Sequence, residues 1–304
     1  MTREPLKIGV LGYRFMGRAH ANALARLPMF FPDAPDVERH TLVGRDEAAL
    51  AATRGDGIEA VHAVAEALLE ARPSMAALRN RVNRAVAGTT TPAEAERAAI
   101  AGIERALAVD EEAAACAADR IAGHVLTLSW SGTVLAALRE GTAPSGGVTT
   151  VTVAESRPAR EGVDVAEELD AAGIDVRVCT DAAVAHLLSE CDVDCVLVGA
   201  DTILPDGRVV NKTGTRGVAI AADREGVPVY AVAASDKIST EPTPHLESGP
   251  PEAVYEDREG IEAVNPTFDV TPADCVDAVV TERAALSAEA VRETAAGLRD
   301  LTSW

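Results

Sequence analysis

The stretch CVLVGADTILPDGRVVNKTGTRGVAIAADREGVPVYAVAASDKIS, which spans Cys195 to Ser239, decides the fold. Its first apolar run predicts a buried strand that delivers Asp201 to its carboxyl end, where doubly wound sheets bind ligands. Asn211 and Lys212 come shortly before a glycine, so an amide, a cation and backbone N–H groups can converge on an anion. Lys237 follows the next predicted strand, again at its carboxyl end. Asp201 alone is equally well explained as a turn-capping residue, but the four residues together predict a site for a phosphate-bearing ligand.

The sequence on either side of this stretch predicts an α/β protein. From Asp56 to about Arg120 apolar residues recur at helical spacing, and TTTPAEAE supplies a helix cap, a proline and early acids. After Gly123 short β-rich runs alternate with helical or loop segments, which is typical of a mostly parallel, doubly wound sheet. We therefore predict a helical domain over residues 53–122 and a Rossmann-like domain over residues 123–304. The predicted strands are HVLTLSW, GVTTVTVAES, IDVRVCT, CVLVGAD and PVYAVAAS, and the predicted closing helix runs from Ser287 to Leu301.

Composition excludes several classes of function. The chain has 304 residues and a formal net charge of −20, which argues against a nucleic-acid partner held by phosphate contacts. No apolar run is long enough to cross a bilayer, and no export signal is evident, so a cytoplasmic protein without a membrane partner is predicted. Only three lysines occur, at positions 7, 212 and 237, and this acidic composition is typical of proteins that work at high salt. The five cysteines lack a metal-binding pattern, so we expect free thiols and no metal.

The first 52 residues predict a separate βαβ-like leader. In GVLGYRFMGRAHANALARLP, Gly12 and Gly17 fit the first and third glycines of a dinucleotide-binding turn, but Arg14 takes the middle place. The leader resembles the start of the Gfo/Idh/MocA oxidoreductases over about 50 residues. It lacks the Glu-Lys-Pro segment of that family, and the next 70 residues are helical. We therefore interpret the leader as truncated, with a vestigial cofactor site, and we expect no cofactor.

From about residue 56 to the end, the chain resembles a different superfamily. The stretch quoted first, together with AESRPAREGVDVAEELDAAGIDVRVCTDAA (Ala154 to Ala183) and NPTFDVTPADCVDAVVTE (Asn265 to Glu282), resembles the translation initiation factor 2B alpha/beta/delta subunits. That superfamily also holds ribose-1,5-bisphosphate isomerase and methylthioribose-1-phosphate isomerase. The resemblance implies a homo-oligomer, dimeric or higher. In ARPSMAALRNRV it makes Arg72 a candidate phosphate ligand, and it makes Arg157 a candidate substrate-binding residue.

The resemblance also implies how the site would work. The isomerases pair a cysteine with an aspartate to move protons on a phosphosugar, and Asp201 matches that aspartate. In LTLSWSGTV (Leu126 to Val134) Ser129 stands at the cysteine position. A thiol titrates near pH 8.5, whereas an alcohol titrates far higher and needs a neighbouring base. Ser131, Gly132 and Thr133 could hold a ligand at a strand-to-helix turn, although an ordinary helix cap explains them equally well.

Three hypotheses follow. The first is an initiation factor 2B-like protein that binds a phosphorylated sugar or nucleotide without competent isomerase chemistry. The second is a ribose-1,5-bisphosphate-type aldose–ketose isomerase, with Asp201 as proton donor and Ser129 or a water in place of the thiol. The third, which the missing Glu-Lys-Pro segment disfavours, is a nicotinamide-dependent oxidoreductase.

Overall fold

A computed structural model describes residues 6–9, 37–41, 57–71, 74–142, 147–244, 246–256 and 260–304. The helices are α1 (Gly57–Ala71), α2 (Ala76–Val86), α3 (Pro92–Ala118), α4 (Gly132–Gly141), α5 (Glu161–Ala171), α6 (Val184–Glu190), α7 (Thr215–Glu225) and α8 (Ala288–Arg299). The strands are β1 (Leu6–Gly9), β2 (Val37–Thr41), β3 (Ala122–Leu128), β4 (Gly147–Ala154), β5 (Val176–Cys179), β6 (Cys195–Gly199), β7 (Thr202–Ile203), β8 (Val209–Lys212), β9 (Val229–Val232), β10 (Phe268–Thr271), β11 (Ala278–Val280) and β12 (Ala285–Leu286).

The predicted fold class is confirmed. Helices α1 to α3 precede a seven-stranded sheet of order β12-β11-β9-β6-β3-β4-β5. Every neighbouring pair in this sheet is parallel except β11 and β12. All five strands named from the sequence lie in it, and the predicted closing helix is α8, whose first turn is capped by the Ser287 hydroxyl. The domain boundaries at residues 52 and 122 stay predictions.

Local sequence explains where the elements begin. Helix α3 starts with Pro92 at its first position, and Thr91 and Glu94 form a reciprocal capping box that satisfies N–H groups of the first turn. Strand β6 is buried at all five positions because helices cover both faces of the sheet. Alternate residues of β3 therefore feed two cores: Leu126 packs with α7 and α8 on one face, and Val125 packs with α4 and α5 on the other.

Two further sheets extend this picture. Strands β10, β8 and β7 form an antiparallel three-stranded sheet, and Asn211 and Lys212 lie at the end of β8. Sequence reasoning missed this sheet because β7 has only two residues and because β8 pairs with β10, a distant part of the chain. Strands β1 and β2 pair in parallel in a sheet of their own, and the assignment of residues 1–52 to a separate leader stays a prediction.

Candidate functional site

The candidate site residues lie where the parallel strands end. Leu126 of β3 pairs with Val196 of β6, and Leu128 of β3 pairs with Ala154 of β4, so these three strands finish at one edge of the sheet. We call this the carboxyl edge. Its charged side consists of Asp201 and Lys237, which follow β6 and β9, and of Lys212, which ends β8 of the small antiparallel sheet and reaches Glu161 beyond β4. Its hydroxyl side consists of Ser129, Ser156 and Asp181, which follow β3, β4 and β5.

Asp201 lies two residues beyond the end of β6, where the backbone leaves the large sheet for the small one. Its N–H donates to the carbonyl of Val210 at 2.9 Å, which fixes the backbone at this step. Asp201 lines a cavity of about 180 Å³ together with Ser74, Thr202 and other residues of both the helical and the α/β parts. The Thr202 hydroxyl donates to the carbonyl of Ser74 at 3.3 Å, and this bond ties the start of α2 to the cavity.

Lys212 ends β8 and is already paired. Its Nζ lies 2.5 Å from Glu161 Oε1 in the first turn of α5, and both side chains are about three-quarters buried. The other carboxylate oxygen of Glu161 is buried without a hydrogen-bond partner among the described residues. A phosphate that engages Lys212 would therefore compete with the Glu161 carboxylate.

Asn211 and Lys237 are buried in local contacts. The Asn211 amide donates to the Thr215 hydroxyl at 3.0 Å, and that hydroxyl donates to the Lys212 carbonyl at 2.7 Å. The Lys237 ammonium donates to the carbonyl of Ala200 at 2.5 Å, directly before Asp201. Neither lysine lines the Asp201 cavity. The convergence of both ammonium groups on one bound phosphate stays a prediction.

The hydroxyl side has an unusual backbone. Ser129, Ser156 and Arg160 have φ angles of 59°, 63° and 62°, in the left-handed region that disfavours residues with a Cβ. The Ser129 N–H donates to the Ser156 hydroxyl at 2.7 Å. The Asp181 carboxylate accepts from the N–H groups of Ser156 and Arg157, both at 2.7 Å. Strain of this kind collects at functional sites, where the surrounding structure holds it in place.

The strand-to-helix turn after Ser129 has the geometry of an ordinary cap. The Ser131 hydroxyl accepts from the Val134 N–H at 3.4 Å, and Gly132 and Thr133 form the first turn of α4. Ser131 also lies against Gly199, because a Cβ added at that glycine would meet the Ser131 Oγ at 2.8 Å. The end of β6 and the start of α4 therefore approach each other as closely as a glycine permits.

A carboxylate of the protein already occupies the start of α7. Asp269 of β10 accepts from the N–H groups of Gly214 at 2.8 Å and Arg216 at 3.1 Å. Burial raises the pKa of Asp269, although these two N–H groups and the Arg216 charge act to lower it. Asp269 already accepts from the N–H groups of Gly214 and Arg216. An anion that binds near Asn211 and Lys212 would therefore be held by the side chains of these two residues.

The thiols of Cys179 and Cys195 would be poor proton carriers in place of the missing cysteine. Burial raises the pKa of Cys179 to about 11, with Asp181 and Glu155 adding to the shift. Burial likewise raises the pKa of Cys195 to about 11, and this residue lies at the start of β6, away from the carboxyl edge. Both thiols stay protonated near neutral pH.

The remaining predicted residues divide into two groups. Arg157 lines a second cavity, of about 210 Å³, together with Thr213 and Asn265, and this cavity is distinct from that of Asp201. Arg72, Gly12 and Gly17 lie outside the described residues. Among those that are described, no group of three or more His, Cys, Asp or Glu side chains is placed to hold a metal ion. Every helix in those ranges is also too short or too polar to span a bilayer.

Sequence reasoning missed Ser156, Asp181, Glu161 and Asp269. The rule that selected Asp201 also points to Ser156 and Asp181, because each follows the end of a parallel strand. Glu161 and Asp269 gave no such signal, since their partners are 51 and 55 or 53 positions away in the chain.

The molecule is thus an α/β protein with a doubly wound sheet behind a helical layer, and its polar residues collect at the carboxyl edge, where sheets of this type bind ligands. The sequence profile of the Initiation factor 2 subunit family matches residues 36–288. The chain belongs to this family, as the sequence motifs predicted. The match begins within the segment assigned to the leader.

Similar proteins include enzymes. The methylthioribose-1-phosphate isomerase of Gemmatimonas aurantiaca is 43% identical over 162 residues, which cover 50% of this chain and 45% of the relative. That of Anaeromyxobacter sp. is 34% identical over 282 residues, covering 84% of this chain and 80% of the relative. The crystal structure of translation initiation factor eIF-2B from Pyrococcus horikoshii superposes with a TM-score of 0.65 at 28% identity, covering 79% of this chain and 88% of that one. The chain spans about half the length of the first curated relatives that it matches.

Proposed function

We propose that the chain binds a phosphorylated sugar at the carboxyl edge and does so without thiol-dependent isomerisation. The observation that carries this proposal is Ser129, an alcohol in the position where the resemblance places the reactive cysteine. Ser129 is nearly buried and held in the left-handed region by its bond to Ser156. The backbone of the site is therefore built, while the group that would exchange protons near neutral pH is missing.

The charged side supports the binding half of the proposal. Asp201 lines a cavity that could receive the hydroxyl groups of a sugar. Lys212 offers an ammonium group that is about three-quarters buried, where water screens a charge less than at the surface. Because Lys212 is paired with Glu161, a phosphate must displace that carboxylate. Once the pair opens, Glu161 Oε2 supplies a further hydrogen-bond acceptor.

Calorimetry with methylthioribose 1-phosphate and ribose 1,5-bisphosphate tests binding. Replacing Lys212 by Gln should weaken binding by about 1.5–3 kcal/mol, the contribution of one charge-assisted contact. Arg139→Gln is a matched control, because Arg139 is an exposed cation paired with Glu168. Equal loss in the two variants, or no binding by the unaltered protein, would contradict the proposal.

An aldose–ketose isomerase is the second candidate, and the names of the relatives favour it. The Anaeromyxobacter isomerase aligns over most of both chains. Such a reaction moves hydrogen between C2 and C1 of the sugar and needs no external oxidant. Here Asp201 would hold the proton, and Ser129 or a water would take the place of the thiol.

Turnover separates the two candidates. We expect no ketose product from the unaltered protein with either sugar phosphate, and product from the Ser129→Cys variant. Product from the unaltered protein that disappears in Asp201→Asn, with binding retained, would establish the second candidate instead.

We also propose that the protein is a homo-oligomer. Five of the ten exposed large apolar side chains among the described residues lie within residues 246–264, and such a concentration on a surface marks an interaction site. These side chains are Leu246, Val254, Tyr255, Ile261 and Val264. Light scattering should give at least twice the mass of one chain, and Val264→Asp should lower it. A monomer would refute the proposal.

A further inference from the structure

Trp130 is an exposed aromatic residue beside the hydroxyl side of the carboxyl edge. It follows Ser129 beyond the end of β3 and is 43% exposed, whereas Leu128 and Ser129 before it are 3% and 9% exposed. The chain has only two tryptophans, and aromatic residues make up 3% of it. Packing of the core therefore does not account for this ring, which stands open to solvent next to the candidate site.

The backbone on both sides of Trp130 is fixed. The Ser129 N–H donates to the Ser156 hydroxyl at 2.7 Å. On the other side, the Ser131 carbonyl accepts from the Leu135 N–H at 2.9 Å, as part of the first turn of α4. The indole is thus carried by a framework that is in place before a ligand arrives, which reduces the entropy lost when a group stacks on it.

The faces of the two tryptophan rings are used differently. Trp304 packs against the ring of His62, with centroids 4.9 Å apart, and its Nε1 donates to Asn83 at 3.1 Å. Among the residues that the structure describes, Trp130 has no such ring contact. Trp130 also lines neither of the two cavities described above. A group that stacks on it would therefore be a part of a ligand that projects beyond these cavities.

Trp130 also lies close to the charged side. A Cβ at Gly199 would meet Ser131 Oγ at 2.8 Å and Asn211 Oδ1 at 3.8 Å, so these two side chains lie beside the same glycine. Trp130 is the chain neighbour of Ser131, and Lys212 is the chain neighbour of Asn211. Because neighbouring Cα atoms are about 3.8 Å apart, Trp130 and Lys212 belong to one region of the carboxyl edge.

We propose that the ligand of the carboxyl edge is a nucleoside monophosphate, whose base stacks on Trp130 while its phosphate engages Lys212. This inference rests on the proposed function, since a nucleoside monophosphate is a phosphorylated sugar that carries a base. Every base has a π face and stacks on an aromatic side chain with little dependence on its identity. A sugar phosphate without a base has no flat aromatic group to cover the indole.

Calorimetry with adenosine 5′-phosphate and ribose 5-phosphate tests the inference, because the second ligand differs from the first in lacking the base. Adenosine 5′-phosphate should bind about tenfold more tightly to the unaltered protein, which is the contribution of one stacked base. Trp130→Ala should remove this advantage and leave the affinity for ribose 5-phosphate unchanged. Ile100→Ala removes a similarly exposed apolar side chain from α3 and should change neither affinity.

Tryptophan fluorescence reports the stacking itself. In Trp304→Phe the only remaining tryptophan is Trp130, so adenosine 5′-phosphate should quench the emission. Excitation at the red edge of the indole absorption avoids absorption by adenine. Ribose 5-phosphate should quench far less. In Trp130→Phe, where Trp304 remains, neither ligand should change the emission.

Four results would overturn the inference, and they differ in what they leave standing. Equal affinities for the two ligands, or binding of methylthioribose 1-phosphate alone, would leave the proposed function intact. An equal loss for both ligands in Trp130→Ala would make the indole a structural part of the hydroxyl side. A lower mass of Trp130→Ala in light scattering, with unchanged nucleotide affinity, would place the indole in an interface between copies of the chain. If none of the phosphorylated ligands binds, the proposed function fails and the inference fails with it.

Discussion

The two sides of the carboxyl edge are held in place by different means. On the hydroxyl side, Ser129 and Ser156 have left-handed backbones, and Asp181 holds the second of them through two N–H groups. On the charged side, Lys212 and Lys237 are fixed by an ion pair and by a carbonyl. The hydroxyl side is thus shaped by its backbone, and the charged side by the contacts that its side chains make.

This difference explains how binding and catalysis could become separate in one fold. Changing a reactive side chain on a rigid backbone, such as a cysteine to a serine, leaves the shape of the hydroxyl side intact. The charged side has no comparable backbone framework, because each of its cations needs its partner in order to stay buried. We therefore expect substitutions on the charged side to have the larger effects.

The largest effect should come from Asp236, which lies one position before Lys237 and extends the charged side towards α2. Asp236→Ala leaves Arg81 and Arg84 without their shared buried partner, which should reduce the free energy of unfolding by about 3 kcal/mol. Urea denaturation at fixed KCl measures this loss. Asp206→Ala, which breaks an exposed pair with Arg208, should cost less than about 1 kcal/mol. Similar losses in both variants would show that the charged side is no more dependent on its pairs than the surface is.

A smaller loss is expected for Asp181 on the hydroxyl side. Asp181→Ala removes the acceptor for two backbone N–H groups and should destabilise the protein by about 1.5 kcal/mol. Affinity for a sugar phosphate should change little, because this carboxylate acts on the backbone. Asp181→Asn keeps one carbonyl acceptor, so its stability should lie between that of Asp181→Ala and that of the unaltered protein. Lost binding with unchanged stability would make Asp181 a ligand-contacting residue and would break the comparison.

How much of this could be predicted follows from the range of the interactions. The large sheet was predictable, because apolar runs such as Cys195–Gly199 report local burial, and the end of each strand locates a polar residue beside the site. The antiparallel sheet was not, because β7 has only two residues and the pairing of β8 with β10 joins distant parts of the chain. The sequence identified Asp201 and Lys212 as candidate site residues, but it did not indicate that they lie in different surroundings.

The partners of the site residues were beyond sequence reasoning for a physical reason. Glu161 reaches Lys212, and Asp269 reaches Gly214, across about fifty positions of chain, and only tertiary packing brings them together. The left-handed backbone of Ser129 was equally hidden, because serine has no intrinsic preference for it. A glycine at position 129 would have indicated a left-handed turn.

Glu282 extends the charged side by one strand and predicts a pH effect. Burial alone would raise the pKa of Glu282, but the hydrogen bonds from the Ser235 hydroxyl and N–H, with the Arg283 charge, lower it below its usual value. A lowered carboxyl pKa stabilises the folded state above the unfolded pKa of about 4.5, and this contribution is lost as the pH falls through the folded value. Glu282→Gln should therefore flatten the loss of stability below about pH 4.5, in urea titrations, whereas Glu140→Gln, an exposed control, should not. Parallel curves for Glu282→Gln and the unaltered protein would mean that the pair with Ser235 carries no proton linkage.

The smallest effect sharpens the comparison most directly, because it tests the backbone of Ser129 itself. At φ 59° a Cβ costs about 1 kcal/mol relative to glycine, so Ser129→Gly should be more stable than Ser129→Ala by about that amount. Glu104 provides a control of opposite sign, because it is exposed in the interior of the helix α3, where glycine is about 1 kcal/mol less favourable than alanine. Urea denaturation of the four variants gives both differences under one set of conditions. If glycine and alanine were equivalent at Ser129, the hydroxyl side would owe its shape to the contacts of its side chains, as the charged side does. A change of the reactive side chain would then alter the shape of the hydroxyl side, and the proposed separation of binding from catalysis would lose its basis.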